Sequence, residues 1–343
     1  MTEKSYGGDD GTGRAPRNTP KNITQNQAYS QEKKLNKANK TQEGMKEKDK
    51  QDILKAGEIS KKVASYIKTI VKKDMSMLHL AEQIEDEIKK HGGEIAFPVN
   101  LSTNEIAAHH TPTYNDIEKT HDLLKVDFGV SINGWTADAA ISFDLENSEE
   151  NKKLIQVAQD SLKKAIDLVS KNKEKTKLNE IGKEIQIYSE HHKLQPITNL
   201  SGHSIEKYEL HAGVTIPNID NSNDTEVGLG AFAIEPFITS SSASGKVYDS
   251  KPSGIYHLIE RKALRDQSAR EILDYIEKEY KTLPFCSRWL VKKFGTKALI
   301  SLRQLEQAGA LHHYDELVEQ SKQKVAQAEQ TILIEKDEVI IIN

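Results

Sequence analysis

The sequence predicts a mixed α+β domain whose succession of helices and strands is interrupted by a run of helices. Three observations indicate this fold class. Apolar residues recur at helical spacing over about 46–90 and again over 148–192. Apolar runs typical of strands, such as EIAFPVNL and AFAIEPF, lie between and after these helices. Three helical patterns in a row then occupy about 257–315.

Composition restricts the class of protein. The chain has 343 residues, 36% of them apolar and 29% charged, with a formal net charge of −4. This charge gives no basic bias toward nucleic acid or a membrane. Cys286 is the only cysteine, so disulfides within the chain are impossible and a cytoplasmic setting is expected. No run approaches the ~20 apolar residues of a transmembrane helix, and we find no secretory signal, so we expect no membrane partner.

The first 45 residues differ from the rest. They consist mainly of Lys, Asn, Gln, Gly, Ser and Thr, with almost nothing to bury, and are predicted to be a disordered polar tail. Residues 1–50 hold eleven Lys or Arg against seven Asp or Glu. A solubilising role and a weak contact with RNA or the ribosome both fit this mild basic excess.

The elements follow in order from residue 46. Two helices are predicted before His91-Gly92-Gly93, then a strand, a loop and a hairpin at 123–145. Two further helices are followed by strand-like segments. We therefore divide the chain into the tail at 1–45, the first part of the main domain at 46–256, the inserted helical subdomain at 257–315 and C-terminal strands at 316–343. The later helices are predicted at 148–172 and 178–192, and the later strands near 200–216, 231–239 and 325–334.

The turn of the hairpin fixes its register. Asn133-Gly134 is the dipeptide preferred in a two-residue type I′ turn, because both central positions need positive φ. Ile132 is then expected to pair with Trp135. Side chains alternate between the two faces of a strand, so this one pairing decides which residues share a face.

Two aspartates stand on otherwise apolar strands of this hairpin. The register places Asp127 opposite Ala140 and Asp138 opposite Gly129, which makes the two carboxylates diagonal neighbours at roughly 7–8 Å. They repel each other unless a positive charge lies between them, and the small Gly129 and Ala140 leave room for one. A divalent cation with oxygen ligands explains the pair, but so does a half-exposed hairpin with one wet face.

Three more polar residues interrupt strand-like segments. Glu235 lies in AFAIEPF, Glu329 in VAQAEQTILIEKD, and His203 follows Gly202 in NLSGH. A buried carboxylate without a partner is costly. A strand end, a salt bridge or a satisfied core histidine explains each of them singly. Together with the aspartates they form an oxygen-rich set suited to two divalent ions.

Several blocks of the chain closely resemble the methionine aminopeptidases of type II, the form found in archaea and eukaryotes. The helical run at 257–315 coincides with the insertion that distinguishes type II from type I. The resemblance implies the pita-bread fold of the creatinase and aminopeptidase class, with a dinuclear metal site at its centre. The matching blocks are AFPVNLSTNEIAAHHTP, LLKVDFGVSINGWTADAA, NLSGHSIEKYELHAGVTIPN, FAIEPF, KTLPFCSRWL and VAQAEQTILIEKD.

The resemblance also implies which residues hold the metals, here two divalent ions of Mn, Fe, Co or Zn. Asp127 would bind one ion with both oxygens. Asp138 and Glu329 would bridge the pair, and His203 and Glu235 would complete the second ion. Glu235 would also move a proton, first as general base and then as general acid.

Substrate-binding residues follow from the same resemblance. His109 and His211 would hold the scissile amide, with His211 polarising its carbonyl. From the sequence alone, each of these histidines is equally explained as a satisfied loop residue. Phe97 would line the pocket for the methionine side chain, joined by Leu210 and Ile255.

The implied function is removal of the initiator methionine from nascent proteins with a small second residue. A metal-bridging hydroxide would attack the first peptide bond, in a cytoplasmic monomer whose partners are nascent N-termini. One alternative is an inactive pita-bread relative that binds the ribosome or RNA; another is a peptidase for Xaa-Pro bonds, which shares the fold and the metals.

The chain departs from the family pattern in three places. Gln330 stands where the family often has histidine after the bridging glutamate, and we expect little effect because this neighbour is not a ligand. The loop ITSSSASGKVYDS is rich in Ser rather than Gly, which leaves the shape of the substrate entrance open. The tail lacks the alternating acidic and basic blocks of eukaryotic relatives.

Overall fold

The helices begin and end close to where their apolar spacing predicts. The structure, a computed structural model, describes residues 44–343, so the predicted tail at 1–45 lies outside the described residues except for its last two. Ser76, Ser148 and Asp266 each accept a hydrogen bond from the backbone N–H three residues on, which caps the helix that follows. The helices are α1 (Glu47–Ile70), α2 (Met77–Lys90), α3 (Glu149–Asn172), α4 (Leu178–His191), α5 (Gln267–Glu279), α6 (Ser287–Phe294) and α7 (Ala298–Gln307).

A large antiparallel sheet forms the centre of the described chain. Neighbouring strands come from distant parts of the sequence, so residues far apart along the chain meet on one face. In spatial order its strands are β1 (Glu94–Thr103), β3 (Leu123–Ile132), β4 (Trp135–Asp144), β14 (Glu329–Ile334), β8 (Gly230–Ile234), β6 (Ser201–Ile205) and β7 (Thr215–Pro217), and β15 (Val339–Ile341) pairs along β14.

Strands β3 and β4 confirm the predicted hairpin. Ile132 pairs with Trp135, and the register continues without a bulge along both strands. Asn133 and Gly134 have φ values of 51° and 89°, the positive values that the type I′ turn requires. Both aspartates consequently lie opposite the partners that the sequence predicts.

The two faces of the large sheet differ in chemistry. Leu124, Val126 and Phe128 of β3 are fully buried in an apolar cluster that includes residues of α1 and α2. A second apolar cluster joins α3 and α4 to β8 and β14. The alternate side chains of β3, Asp127 among them, point to the opposite face. That face lines the pocket described below.

Two smaller sheets lie beside the large one in the described chain. A four-stranded sheet has the order β11-β10-β12-β2, and a three-stranded sheet has the order β13-β9-β5. Every pairing in them is antiparallel. Their strands are β2 (Ile106–Ala108), β10 (Val247–Leu258), β11 (Phe285–Cys286) and β12 (Leu311–Glu319), then β5 (Leu194–Pro196), β9 (Phe237–Ser240) and β13 (Val325–Gln327).

The three helices predicted in the interrupting run are present as α5, α6 and α7, and they share an apolar cluster that includes Ile272, Leu290 and Leu302. The run is not purely helical, however. Phe285 and Cys286, predicted as the start of a helix, form a short strand along β10, because both are fully buried in that pairing. Strand β12 also begins inside the run. The described residues 44–343 all belong to one compact unit, and the bounds of a subdomain within it stay a prediction.

Strand β10 was not predicted at all. Its first half, VYDSKPS, is mostly exposed, so its side chains lack the alternation that marks a half-buried strand. Its pairing with β12 holds it in place instead. Within the described residues, no helix is both long enough and apolar enough to cross a membrane.

Candidate functional site

The structure brings all ten residues predicted for the site to one pocket. The polar face of the large sheet forms one wall, and β2, β10 and the segment before β11 supply the others. Residues that the sequence predicts as metal ligands and as substrate contacts line the same pocket. These are Phe97, His109, Asp127, Asp138, His203, Leu210, His211, Glu235, Ile255 and Glu329.

Five neighbouring strands each supply one predicted metal ligand. Asp127 lies on β3, Asp138 on β4 and Glu329 on β14, which are adjacent in the sheet. Glu235 directly follows β8, the next strand, and His203 lies on β6 beyond it. The antiparallel order of strands therefore gathers side chains that lie up to 202 positions apart along the chain.

The distances between these side chains suit metal coordination. Asp138, His203 and Glu329 each offer one ligand atom, and these atoms lie within 4.8 Å of one another. The Nε2 atom of His203 lies 3.6 Å from Asp138 Oδ2 and 3.9 Å from Glu235 Oε1. Burial lowers the pKa of His203 to about 4, so its imidazole is neutral near pH 7 and available as a ligand.

Within residues 44–343, no lysine or arginine forms an ion pair with the carboxylates of the cluster, and His203 is the only basic side chain close to them. Burial raises the pKa of Asp127 to about 7, well above its ordinary value. Burial first, and then the charge of neighbouring carboxylates, raises the pKa of Asp138, Glu235 and Glu329 in the same direction. Four acidic groups held this close favour their neutral forms unless positive charge is bound among them.

Two oxygen atoms show where such a charge fits. Asp127 Oδ1 and Asp138 Oδ1 are buried and accept no hydrogen bond from any residue between 44 and 343. Unsatisfied buried carboxylate oxygens are costly, and a hard divalent cation is the partner that this oxygen-rich set prefers. The residues present therefore fit a divalent metal site.

Neighbouring residues fix the orientation of the cluster. Gln327 Nε2 donates a hydrogen bond to Glu235 Oε2 at 3.2 Å. Thr331 Oγ1 accepts from the backbone N–H of Asp138 at 2.8 Å and donates to its carbonyl at 3.0 Å. Such outer contacts set ligand geometry in metal sites. The sequence analysis did not identify Gln327 or Thr331, since neither residue type is itself diagnostic.

The two predicted substrate histidines occupy different surroundings. His109 has a positive φ of 63°, and its Nδ1 donates to the backbone carbonyl of Asp315 at 3.2 Å, which leaves Nε2 for another partner. Burial lowers the pKa of His109, so the ring is neutral near pH 7. His211 is exposed, and its ring meets that of His203 edge-on at a centroid distance of 4.5 Å.

The apolar part of the pocket contains Phe97, Leu210 and Ile255, each of them buried. The sequence analysis assigned the space beside Gly129 to a cation, and this was wrong. A Cβ atom on Gly129 would lie 2.3 Å from Phe97 Cε1, so the glycine makes room for the phenyl ring instead. Ala140, in contrast, pairs with both Asp127 and Glu329 and keeps the strand between them free of bulk.

The sequence did not lead us to Asn100, the one amide side chain among the residues that line this pocket. It lies on β1, pairs with Asp127 and lines the pocket. The signal was present in EIAFPVNL, where one amide interrupts an apolar run, which is the argument used for Glu235. Tyr314 of β12 also lines the pocket and was not predicted.

Comparison with known proteins identifies the family of the chain. The family description "Metallopeptidase family M24" matches residues 51–283. A methionine aminopeptidase from Pyrococcus horikoshii is 41% identical over 298 residues, which cover 85% of this chain and 99% of the relative.

Solved structures show the same fold at low sequence identity. A methionine aminopeptidase from Rickettsia prowazekii has a TM-score of 0.61 and 21% identity, covering 88% of this chain and 98% of that one. A thermophilic Arx1 has a TM-score of 0.76 and 14% identity, covering 88% and 91%. The architecture is thus the predicted pita-bread fold. From the family match and the archaeal relatives, the chain belongs to metallopeptidase family M24 and, within it, to the methionine aminopeptidases of type II.

Proposed function

We propose that this protein removes the initiator methionine from nascent chains whose second residue is small. One observation carries the proposal: four carboxylates, two of them buried and two partly buried, and a neutral imidazole line the same pocket as Phe97, Leu210 and Ile255. The cluster provides hydrolytic chemistry, and the apolar side chains suit a thioether, which is polarizable and unbranched.

The ligand roles follow the sequence prediction. Asp127 would hold one divalent ion with both oxygens, Asp138 and Glu329 would be shared between two ions, and His203 and Glu235 would complete the second. When bound, a pair of such ions acts as a Lewis acid and lowers the pKa of water. Mn, Fe, Co and Zn all accept this ligand set, and metal analysis of protein purified without added metal decides among them.

Glu235 moves the proton in this proposal. Glu235 lines the pocket beside the predicted metal ligands, and with cations bound among the carboxylates it would be ionised and able to accept a proton from the attacking water. Gln327 donates to its Oε2 and keeps the side chain oriented. The proton is then delivered to the nitrogen of the leaving amine, which completes hydrolysis of the peptide bond.

His109 and His211 hold the scissile amide. The hydrogen bond from His109 Nδ1 to Asp315 fixes the tautomer, so Nε2 of the neutral ring accepts from the substrate amide. His211 donates to the carbonyl oxygen as negative charge develops there. A large second residue would collide with this arrangement, so steric exclusion sets the preference for small ones.

Further proposals concern the cellular setting of the protein, its tail and its domains. The protein acts in the cytoplasm, as a monomer, on N-termini that emerge from the ribosome. The mild basic excess of residues 1–50 fits a weak ribosome contact through the tail as well as a purely solubilising role. If the tail makes this contact, its removal should weaken ribosome binding; if it only solubilises the protein, ribosome binding should not change. We also retain 257–315 as a separate helical subdomain.

A peptide comparison tests the proposed function. Metal-free protein is prepared with a chelator and assayed with Met-Ala-Ser and with an Xaa-Pro peptide, before and after addition of Mn or Co. We expect hydrolysis of Met-Ala-Ser only after metal is added, and negligible hydrolysis of the Xaa-Pro bond. Metal binding without hydrolysis of either peptide would instead favour the inactive relative.

A further inference from the structure

Asn100 is a buried polar residue of the pocket that the proposed mechanism does not use. Its side chain is 5% exposed and lines the pocket together with the metal ligands. Its Oδ1 atom is buried and accepts no hydrogen bond from any residue in the described part of the chain. A buried amide oxygen without a donor is costly, and such an atom in a pocket indicates a group that binds there.

The orientation of the amide is fixed by its other end. Asn100 Nδ2 donates to the backbone carbonyl of Pro98 at 3.2 Å. Turning the amide over would bring Oδ1 against that carbonyl, so two acceptors would face each other. The oxygen is therefore the end left for a ligand, and the ligand must supply a donor.

A backbone irregularity explains why Asn100 faces the pocket. Residues 97 and 100 of a regular strand point to opposite faces, because side chains alternate. Strand β1 contains a register shift between Phe97, which pairs with Gly129, and Asn100, which pairs with Asp127. The shift brings both side chains to the pocket, while Val99 stays buried in the apolar core.

Asn100 lies between the apolar part of the pocket and the predicted metal ligands, both of which the substrate must contact. Phe97 belongs to the apolar part of the pocket and Asp127 to the metal cluster. Asn100 lies three residues beyond Phe97 on β1 and pairs with Asp127 on the adjacent strand β3. In a peptide N-terminus, the α-amino group is attached to the carbon that carries the methionine side chain and the first carbonyl. The amino group therefore falls near Asn100 when the side chain meets Phe97 and the carbonyl approaches the metal cluster.

We propose that Asn100 Oδ1 accepts a hydrogen bond from the free α-amino group of the substrate and so selects peptides with an unblocked N-terminus. This assignment rests on the proposed function. It makes Asn100 a substrate-binding residue that distinguishes exopeptidase from endopeptidase substrates, because an acylated or internal nitrogen carries fewer donors and more bulk.

A pair of ligands that differ only in the amino group tests the assignment. Calorimetry on manganese-loaded protein measures the binding of L-methionine and of its des-amino analogue, 4-(methylthio)butanoate, to wild type and to Asn100→Leu. We expect Asn100→Leu to weaken methionine binding about tenfold or more, as removal of a hydrogen bond to a charged group does, and to leave the des-amino analogue within about twofold.

Ser102→Ala is the matched control. Ser102 lies two residues further along β1, is 1% exposed and has a buried Oγ without a partner in residues 44–343, but it does not line the pocket. We expect both ligands to bind this variant as they bind wild type. If Asn100→Leu fails to fold, Asn100→Asp replaces it: this variant keeps an acceptor and is expected to retain the preference for the amino group.

Equal losses for both ligands in Asn100→Leu, or no loss for either, would overturn the assignment. Loss of the preference in Asn100→Asp would do the same. Peptidase turnover is measured separately on wild type. Wild type that fails to hydrolyse Met-Ala-Ser refutes the proposed function, whereas normal turnover with an unchanged ligand ratio in Asn100→Leu refutes only the role of Asn100.

Discussion

Acidic side chains at two places in this protein, Glu85 on α2 and the four carboxylates of the pocket, have opposite surroundings. Glu85 of α2 is 3% exposed and receives both guanidinium nitrogens of Arg288, at 2.7 and 2.8 Å, together with the indole N–H of Trp289 at 2.9 Å. The carboxylates at the pocket, in contrast, have one neutral histidine and one glutamine among them, and two of their oxygens have no partner in residues 44–343.

The difference separates a structural role from a functional one. Glu85 has its compensating cation within the chain, and this pair joins α2 to α6. Arg288 also donates to the carbonyl of Pro112. The pocket carboxylates repel one another when ionised, and a bound metal ion would offset that repulsion. Burial of an acidic residue therefore does not by itself show whether its role is structural or functional. The presence or absence of a basic partner within the described chain distinguishes the two roles.

The largest effect is expected when the uncompensated cluster loses a member. Glu329→Gln keeps the shape of the side chain but removes the charge and one shared ligand. Activity should fall at least about a thousandfold, since groups that act as a unit are lost together. The metal-free variant should nevertheless be more stable to heat than metal-free wild type, because four crowded carboxylates become three. A less stable metal-free variant that keeps full activity would show that Glu329 has a structural role, as Glu85 does.

The compensated pair should respond in the opposite way. Arg288→Met leaves Glu85 as a buried charge without its partner and should lower the free energy of unfolding by about 3–5 kcal/mol. Replacing both partners, with Glu85→Leu and Arg288→Met, should restore much of that loss. Urea unfolding of the two variants measures the difference. A double variant as unstable as the single one would show that Arg288 acts through packing rather than by charge.

The stability of the metal-free protein should depend on pH through the carboxylates of the pocket. Asp127 has a raised pKa of about 7, so the folded metal-free protein holds a proton that the unfolded chain releases near its ordinary value of 3.8. This contribution to stability is fully present below about pH 4 and is lost as pH rises through 7. Metal ions displace the proton, so the increase in Tm on adding Mn should be larger at pH 8 than at pH 5.

Asp127→Asn is the control for this pH dependence. The variant removes the titrating carboxylate, so its metal-free Tm should vary less between pH 5 and 8 than that of wild type. An equal slope in the variant would assign the dependence to other groups.

The smallest effect is expected at Gln330, a neighbour of Glu329 in the sequence. Its side chain donates to the backbone carbonyl of Asn343 at 2.6 Å and does not line the pocket. Gln330→His should lower the free energy of unfolding by only about 1 kcal/mol, the usual contribution of one hydrogen bond at such a half-buried position, and leave metal affinity unchanged. A marked change in metal affinity would show that Gln330 influences metal binding although it does not line the pocket.

Local signals explain most of what the sequence predicted correctly. The Asn133-Gly134 turn determines the pairing of its own strands, so the register of Asp127 and Asp138 was readable from neighbouring residues. Helices with regular apolar spacing were predicted within a few residues. Strand β10 escaped prediction because long-range pairing with β12, rather than its own pattern, makes it a strand.

The site shows the same limit. A polar residue in an apolar run marked Glu235 and Glu329, and resemblance to a family supplied the remaining roles. The first argument also applies to Asn100, but the direction of its side chain depends on the irregular register of β1, which the sequence does not show. The error at Gly129 has a similar origin, since the ring that needs the space belongs to another strand.

The amino-acid sequence by itself determined the helices, the hairpin and the set of residues capable of binding metal, because these depend on residue types and short-range spacing. Only the tertiary structure decided that these residues share one pocket, which carboxylates lack a counter-charge and which way Asn100 points. Those properties depend on the order of strands in the sheet, and strand order brings together atoms whose separation along the chain carries no information about their distance in space.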